Sequence, residues 1–282
     1  MTTRRPGRRD PLETAIEVAL QPGRFIAYRA GSDFVSSREA VAGQLETLVP
    51  TDARRAVGLY ETFLAGCYEK ADELDDSSGN FAMFVVSLYC RWIRARQAGS
   101  ADADETARLL LWRMENDPYG FASSIEPDAV KVMSRDGLAA FERQVKARFE
   151  AKDAVEQASD HASRRDPAYL RRRWGEILRA IYTRQRDVRA YIALCEHTQL
   201  SAQDCLAVAT MLKTRRKPDE ALVWVDRGLA LEKKHPHGSI AGHDLVRLKR
   251  ESCSQRSAAT ATRSRTPGPR SARTRARSAT AI

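Results

Sequence analysis

Almost nothing in this 282-residue chain reads as β-strand. Strict alternation of apolar and polar residues gives way to apolar positions three and four apart, the period of an amphipathic helix. No apolar run approaches the roughly 18 residues that a membrane span needs. The arginines at the N-terminus precede no apolar stretch, so a secretory signal is not expected there. The five cysteines, at 67, 90, 195, 205 and 253, are odd in number and form no Cys-x-x-Cys pair. Cys67, Cys90, Cys195 and Cys205 sit in apolar helical stretches, which predicts reduced, mostly buried thiols in a cytoplasmic protein. A Gly-rich phosphate loop, His-Glu-x-x-His and Gly-x-Ser-x-Gly are all missing. A non-enzymatic protein without cofactor or metal is expected.

Acidic residues are missing from both ends. Residues 1–9 and 254–282 carry eleven arginines and no acid. Taking these from the net charge of +10 leaves −1 over 10–253. The basic character therefore belongs to the terminal arms, and association with nucleic acid is expected only through them. The last 29 residues are, apart from Gln255 and Gly268, Ser, Ala, Thr, Arg and Pro with one large aliphatic, Ile282, too little apolar surface to offset the entropy of ordering. The organisation expected is a disordered basic N-terminus over 1–9, a helical array over 10–158, a second array of tetratricopeptide-like repeats over 166–253 and a disordered Arg-rich tail over 254–282.

What is present is helix punctuation. Asp10-Pro11 opens a short helix. Residues 24–35 read as an extended connector or a short strand, and Ser36 with Glu39 as a capping box starting a helix to about Val49. Asp52 caps a helix to about 74, and a strongly apolar helix follows over 80–98. Asp102 with Glu105 opens 102–116, Pro127 begins a short helix, and a long one runs from Gly137 to about Gln157. Residues 159–165 read as a hinge. Further helices are expected at 167–184, 187–198, 202–214, 218–232 and 239–252.

The second array repeats. Trp174, Leu178, Ile181 and Ala190 match Cys205, Ala209, Leu212 and Ala221 at an offset of 31, close to the ~34-residue tetratricopeptide period. A weaker copy sets Ala56, Tyr60 and Leu64 against Ala221, Val225 and Leu229, 165 residues apart. Small side chains at Ala190, Ala209, Ala221 and Gly228, with Val225 among them, predict close helix contact. The fold class expected is all-α: a tetratricopeptide-like solenoid, a right-handed stack of antiparallel helix pairs.

Three stretches, Arg55 to Glu73, Arg172 to Tyr182 and Cys205 to Leu231, resemble an uncharacterised bacterial family of domains of unknown function. The resemblance spans roughly 20–252. It implies tetratricopeptide-like helices and relatives that occur beside SWIM-type zinc fingers. The SWIM pattern itself, Cys-x-Cys followed by Cys-x-His, is absent, so no zinc role carries over. Such a family implies further helices after Arg250, and the abrupt change at Ser252 leaves two readings. One is a basic tail; the other is a shifted reading frame, which resequencing the locus distinguishes.

In a tetratricopeptide register the first helix of each pair lines a groove. Arg172, Arg179 and Tyr182 form one such stripe; Gln203, Thr210 and Lys213 form its equivalent. Guanidinium groups there suit an acidic peptide or a terminal carboxylate, against the plainer reading of a solvated or paired helix face. The acidic group Glu69, Asp72, Glu73, Asp75 and Asp76 does not fit a calcium loop. It reads as a solvated turn or as partners for Arg91, Arg94 or Arg96. His235, His237 and His243 read as a turn between helices, since Pro236 keeps the first two off one helix face and only Cys253 is near as a thiol ligand. The partner expected is a protein or peptide, with nucleic acid through the tails as the alternative and no membrane.

Overall fold

A computed structural model describes residues 10–23, 25–123, 125–151, 167–233 and 240–263, with the backbone alone for 167–170 and 252–263. Residues 1–9, the expected hinge, His235, His237 and residues 264–282 lie outside the described residues. Those described are helical, joined by one short 3-10 turn and one isolated parallel bridge between Ile26 and Leu74.

Twelve helices follow in order: α1 (Pro11–Ala19), α2 (Tyr28–Leu48), α3 (Ala53–Lys70), α4 (Asn80–Ala98), α5 (Ala103–Glu115), α6 (Glu126–Val132), α7 (Arg135–Glu150), α8 (Pro167–Gln185), α9 (Val188–His197), α10 (Ala202–Thr214), α11 (Pro218–Glu232) and α12 (Ile240–Arg263). Short polar side chains satisfy the free N–H groups at several starts. Asp10 accepts from Leu12 N at 2.9 Å, Asp52 from Arg55 N at 3.1 Å and Asp102 from Glu105 N at 2.7 Å. Ser201 and Asp204 form a reciprocal capping box on α10.

Two expectations are corrected. Ser36 does not start a helix: α2 already begins at Tyr28, and the Ser36 hydroxyl donates to the Ser32 carbonyl inside it at 2.9 Å. A serine that caps one helix can bond back one turn within another, so local chemistry left both readings open. Buried Phe34, its ring centroid 6.0 Å from that of Phe81, decides between them. The second correction is at the other end. α12 continues to Arg263, so the helix does not stop at Ser252. No glycine or proline falls between Gly242 and Pro267, and nothing else there breaks a helix.

The chain divides into two compact units, Met1–Leu194 and Cys195–Ile282. In the first, partner numbers rise together along α2 and α4: Ser32 meets Asn80 at 3.4 Å, Glu39 meets Ser87 at 3.3 Å and Glu46 meets Arg94 at 3.9 Å. The two helices are therefore parallel. α4 and α5 run opposite ways, since Arg96 bonds Thr106 at 2.9 Å while Arg113 lies 5.4 Å over the Trp92 ring. α7 and α8 are likewise antiparallel, from Gln185–Glu142 at 2.7 Å to Arg148 at 5.8 Å over Trp174. The core is aromatic: Trp92, Tyr60, Tyr89, Phe63, Phe81 and Phe84 are fully buried.

In the second unit α11 folds back on α10, and α12 returns beside both. Its core is built from small residues. Ala209, Ala221 and Val225 are fully buried. A Cβ added at Gly228 would lie 2.7 Å from Leu245 Cδ1 and 2.9 Å from Cys205 Cβ, so α10, α11 and α12 meet where only glycine fits.

One turn recurs. Ser100, Arg186 and Arg216 are left-handed, with φ of 54, 57 and 58°. The N–H that follows each donates five residues back: Ala101 to Arg96 O, Asp187 to Tyr182 O and Lys217 to Leu212 O, at 2.9, 2.9 and 3.0 Å. At this turn the offset between the α8–α9 and α10–α11 hairpins is 30, so the position equivalent to Ala221 is Tyr191. Tyr191 is buried, and Ala190 is half-buried.

Candidate functional site

The parallel course of α2 and α4 leaves an open cleft of about 400 Å³ in the first unit. Ser32, Ser36 and Glu39 line it from α2, one turn apart each, and Asn80, Met83 and Ser87 from α4. These spacings place each set on one helix face. The floor is Phe84, buried against Phe63 with ring centroids 5.5 Å apart. Met83 stands at the mouth, 71% exposed, and Tyr28 lies one turn ahead of Ser32 at 57%.

The walls are held from behind. Glu39 accepts from Arg91 at 2.8 Å and Ser87 at 3.3 Å, and Arg91 also faces Glu46 at 3.6 Å. Ser32 accepts from the Asn80 amide at 3.4 Å. Beneath Arg91, burial pushes the Tyr60 hydroxyl up to about 12, so it stays protonated at neutral pH. The result is a rigid trough with hydroxyl and amide rims, an apolar floor and a carboxylate engaged by its own arginine. Such a surface can hold an extended or helical segment.

A second feature steadies the approach to α2. Lys70 is 3% exposed; its ammonium donates to Gln21 O at 3.0 Å and to Glu73 at 2.5 Å. Glu73 accepts in turn from Gly23 N at 3.1 Å. The Lys70 bond, and then the Gly23 N–H, hold the Glu73 carboxyl below its ordinary range. Ile26 N donates to Glu73 O at 2.8 Å and Asp75 N to Ile26 O at 2.9 Å. The α1–α2 connector is thus clasped to the end of α3.

The residues singled out from sequence are distributed as follows. Arg172 is exposed and Arg179 half-buried on α8, and both are engaged by other groups. Tyr182 is only 4% exposed, with the Lys146 ammonium of α7 5.6 Å from its ring centroid. Its ring is covered by α7. Gln203 is exposed on α10, and Lys213 pairs with Glu251 at 2.5 Å. The acidic group divides by role. Glu73 serves the clasp, Asp75 accepts from Ser77, and Asp76 accepts from Phe81 N and Ala82 N at 2.9 and 2.8 Å to start α4. Arg91, Arg94 and Arg96 pair elsewhere, with Glu39, Glu46 and Glu61. Of the two readings offered, the pairing fails because α2 brings Glu39 and Glu46 to Arg91 and Arg94, and α3 brings Glu61 to Arg96. Among the described residues no three His, Cys, Asp or Glu side chains gather as a metal would require.

The α2–α4 cleft was missed in the sequence because 28–35 did not read as helix. Once it is helix, Ser32, Ser36 and Glu39 are a polar stripe at spacings of four and three, the one signal that pointed here.

Residues 29–262 match the model of a family described as Family of unknown function (DUF6880). No curated protein and no solved structure matches the chain.

Proposed function

The chain belongs to the DUF6880 family, and for this member we propose a non-enzymatic role as a protein–protein interaction scaffold. It is a stack of tetratricopeptide-like helix hairpins whose parallel first helices hold a peptide or a partner helix between them. The observation that carries the reading is the parallel pairing of α2 with α4 around an open, rigidly backed cleft. Further support comes from the recurring left-handed turn at Ser100, Arg186 and Arg216 and from contact between alternate helices, α4 with α6, α6 with α8, and α10 with α12. Alternation of this kind makes each hairpin bury its neighbour and leaves one groove per pair of units.

The test is recovery of binding partners from the native cell with the full chain. Met83→Asp and Ser36→Arg alter the cleft mouth without touching the core. Loss of a partner from both variants, with the helical circular dichroism unchanged, supports the reading. A set of partners identical to that of the unaltered chain removes it.

A second reading has its own observation. Residues 10–166 hold 27 acidic and 19 basic side chains, whereas 167–253 hold 17 basic and 10 acidic, and the Arg-rich tail follows the basic part. Association with nucleic acid through that tail would be steeply salt-dependent. Deleting 264–282 should abolish it while leaving cleft-dependent binding intact.

A further inference from the structure

Sulfur is divided unevenly between core and surface. Met114, Met133 and Met211 are buried, none more than 8% exposed, whereas Met83 is 71% exposed. The thiols follow the buried methionines: Cys67, Cys90, Cys195 and Cys205 all lie inside. Burial pushes Cys90 and Cys205 up to about 11 and raises Cys67 as well, so little thiolate forms on them at neutral pH. Oxidation of sulfur follows exposure and thiolate character. Among these side chains, an oxidant reaching the folded chain therefore meets Met83 first.

The place of Met83 gives that selectivity a consequence. It lies one turn after Asn80 and one turn before Ser87 on the α4 wall of the α2–α4 cleft. An apolar side chain entering the cleft has Val35, Met83 and Phe84 to land on; the rest of the lining is hydroxyl, amide or carboxylate. Phe84 is buried and Val35 half-buried, so Met83 is the apolar group that protrudes. Sulfoxidation turns this flexible apolar contact into a polar acceptor. In a core the same change is damage. At Met83 the added oxygen meets water, and the helices behind it keep their packing.

We propose that Met83 is a redox-sensitive modification site through which hydrogen peroxide lowers the affinity of the α2–α4 cleft for its occupant. The proposal rests on the cleft reading above and names its regulation. The thioether sulfur attacks one peroxide oxygen with a lone pair and the O–O bond breaks. The proton on the transferred oxygen passes to the departing hydroxide, giving water. Sulfur loses two electrons and the peroxide gains them. A methionine sulfoxide reductase, drawing two electrons from a dithiol, reverses the change with release of water.

Hydrogen peroxide treatment of the folded full chain, mapped by mass spectrometry, tests it. Met83 should gain one oxygen at least roughly tenfold faster than Met114, Met133 and Met211, with the helical circular dichroism unchanged. Partners that Met83→Asp loses should bind the oxidised chain roughly tenfold more weakly, and the reductase should restore them. Met83→Leu is compared only with itself, and its binding should be the same before and after peroxide. That comparison separates Met83 from Met1 and Cys253, whose side chains lie outside those described. A buried methionine oxidised as fast as Met83, cleft-dependent binding that survives the sulfoxide, or peroxide sensitivity kept by Met83→Leu would overturn the inference and leave the cleft reading standing. If Met83→Asp and Ser36→Arg lose no partner, the cleft reading falls and this inference falls with it.

Discussion

In the first unit, rings fill the space between helices: Trp92, Tyr60, Phe63 and Phe84 are fully buried, and long polar tethers such as the Lys70–Glu73 clasp tie in the connector. In the second, small residues are buried at Ala209 and Ala221, and at Gly228 a single added carbon would collide with Leu245 and Cys205. The difference teaches what each region tolerates. An aromatic core loses most when a ring is removed, because surrounding helices cannot collapse into the void. A small-residue contact loses most when anything is added.

That contrast is open to direct attack. The largest effect expected is from Trp92→Ala, about 3–5 kcal/mol, from lost burial and the cavity left behind. Hydrogen exchange should show the loss in α2 to α5, with α10 and α11 unmoved; equal loss in both units would erase the distinction. Next comes Gly228→Val, about 1–3 kcal/mol of overpacking. It should loosen α10 to α12, and chemical denaturation followed by exchange would locate the change. Lys70→Met removes the buried ammonium from Gln21 O and Glu73 and should cost about 1–3 kcal/mol, read as proteolytic cutting near residues 20–27 that the unaltered chain resists.

Arg216→Gly runs the other way. Glycine relieves the left-handed backbone at the α10–α11 turn, and a gain of about 1 kcal/mol in the thermal unfolding of the second unit is expected. The smallest effect concerns pH. Arg55, and then the Leu12 N–H, hold the Asp10 carboxyl at about 2 against an ordinary 3.8. A lowered carboxyl stabilises the fold above its unfolded value, so this contribution is complete above about pH 4 and fades as pH falls through about 2. Nuclear magnetic resonance titration of Asp10 should follow that course and shift upward in Arg55→Ala.

The two regions also differ in charge, and here the sum over the chain concealed the arrangement. A total of −1 over 10–253 reads as neutral, yet it combines −8 over 10–166 with +7 over 167–253. The cationic surplus is thus not confined to the arms.

Legibility followed locality. The limits of α4, α10 and α11 were readable because glycine, serine and proline mark their ends and apolar spacing fills their middles. The 31-residue offset was an apolar correspondence in the sequence, and the left-handed turns at Arg186 and Arg216 do not keep it, standing 30 residues apart. Arg186 and Arg216 occupy a backbone state usual for glycine, and nothing in their identity announces it. Lys70 was invisible as a buried group, since its partners lie 49 residues back and three ahead.

The order of residues alone determined an all-helical protein with its punctuation, because helix periodicity and capping act over a few residues. It also determined that Gly228 and its small neighbours would mark close contact. Only the tertiary structure decided which helices became parallel neighbours. That choice gave Glu39 to Arg91, turned Tyr182 toward α7 and opened the α2–α4 cleft. A helix's own sequence sets which face is apolar, but the face it meets is selected by burial summed over the whole chain.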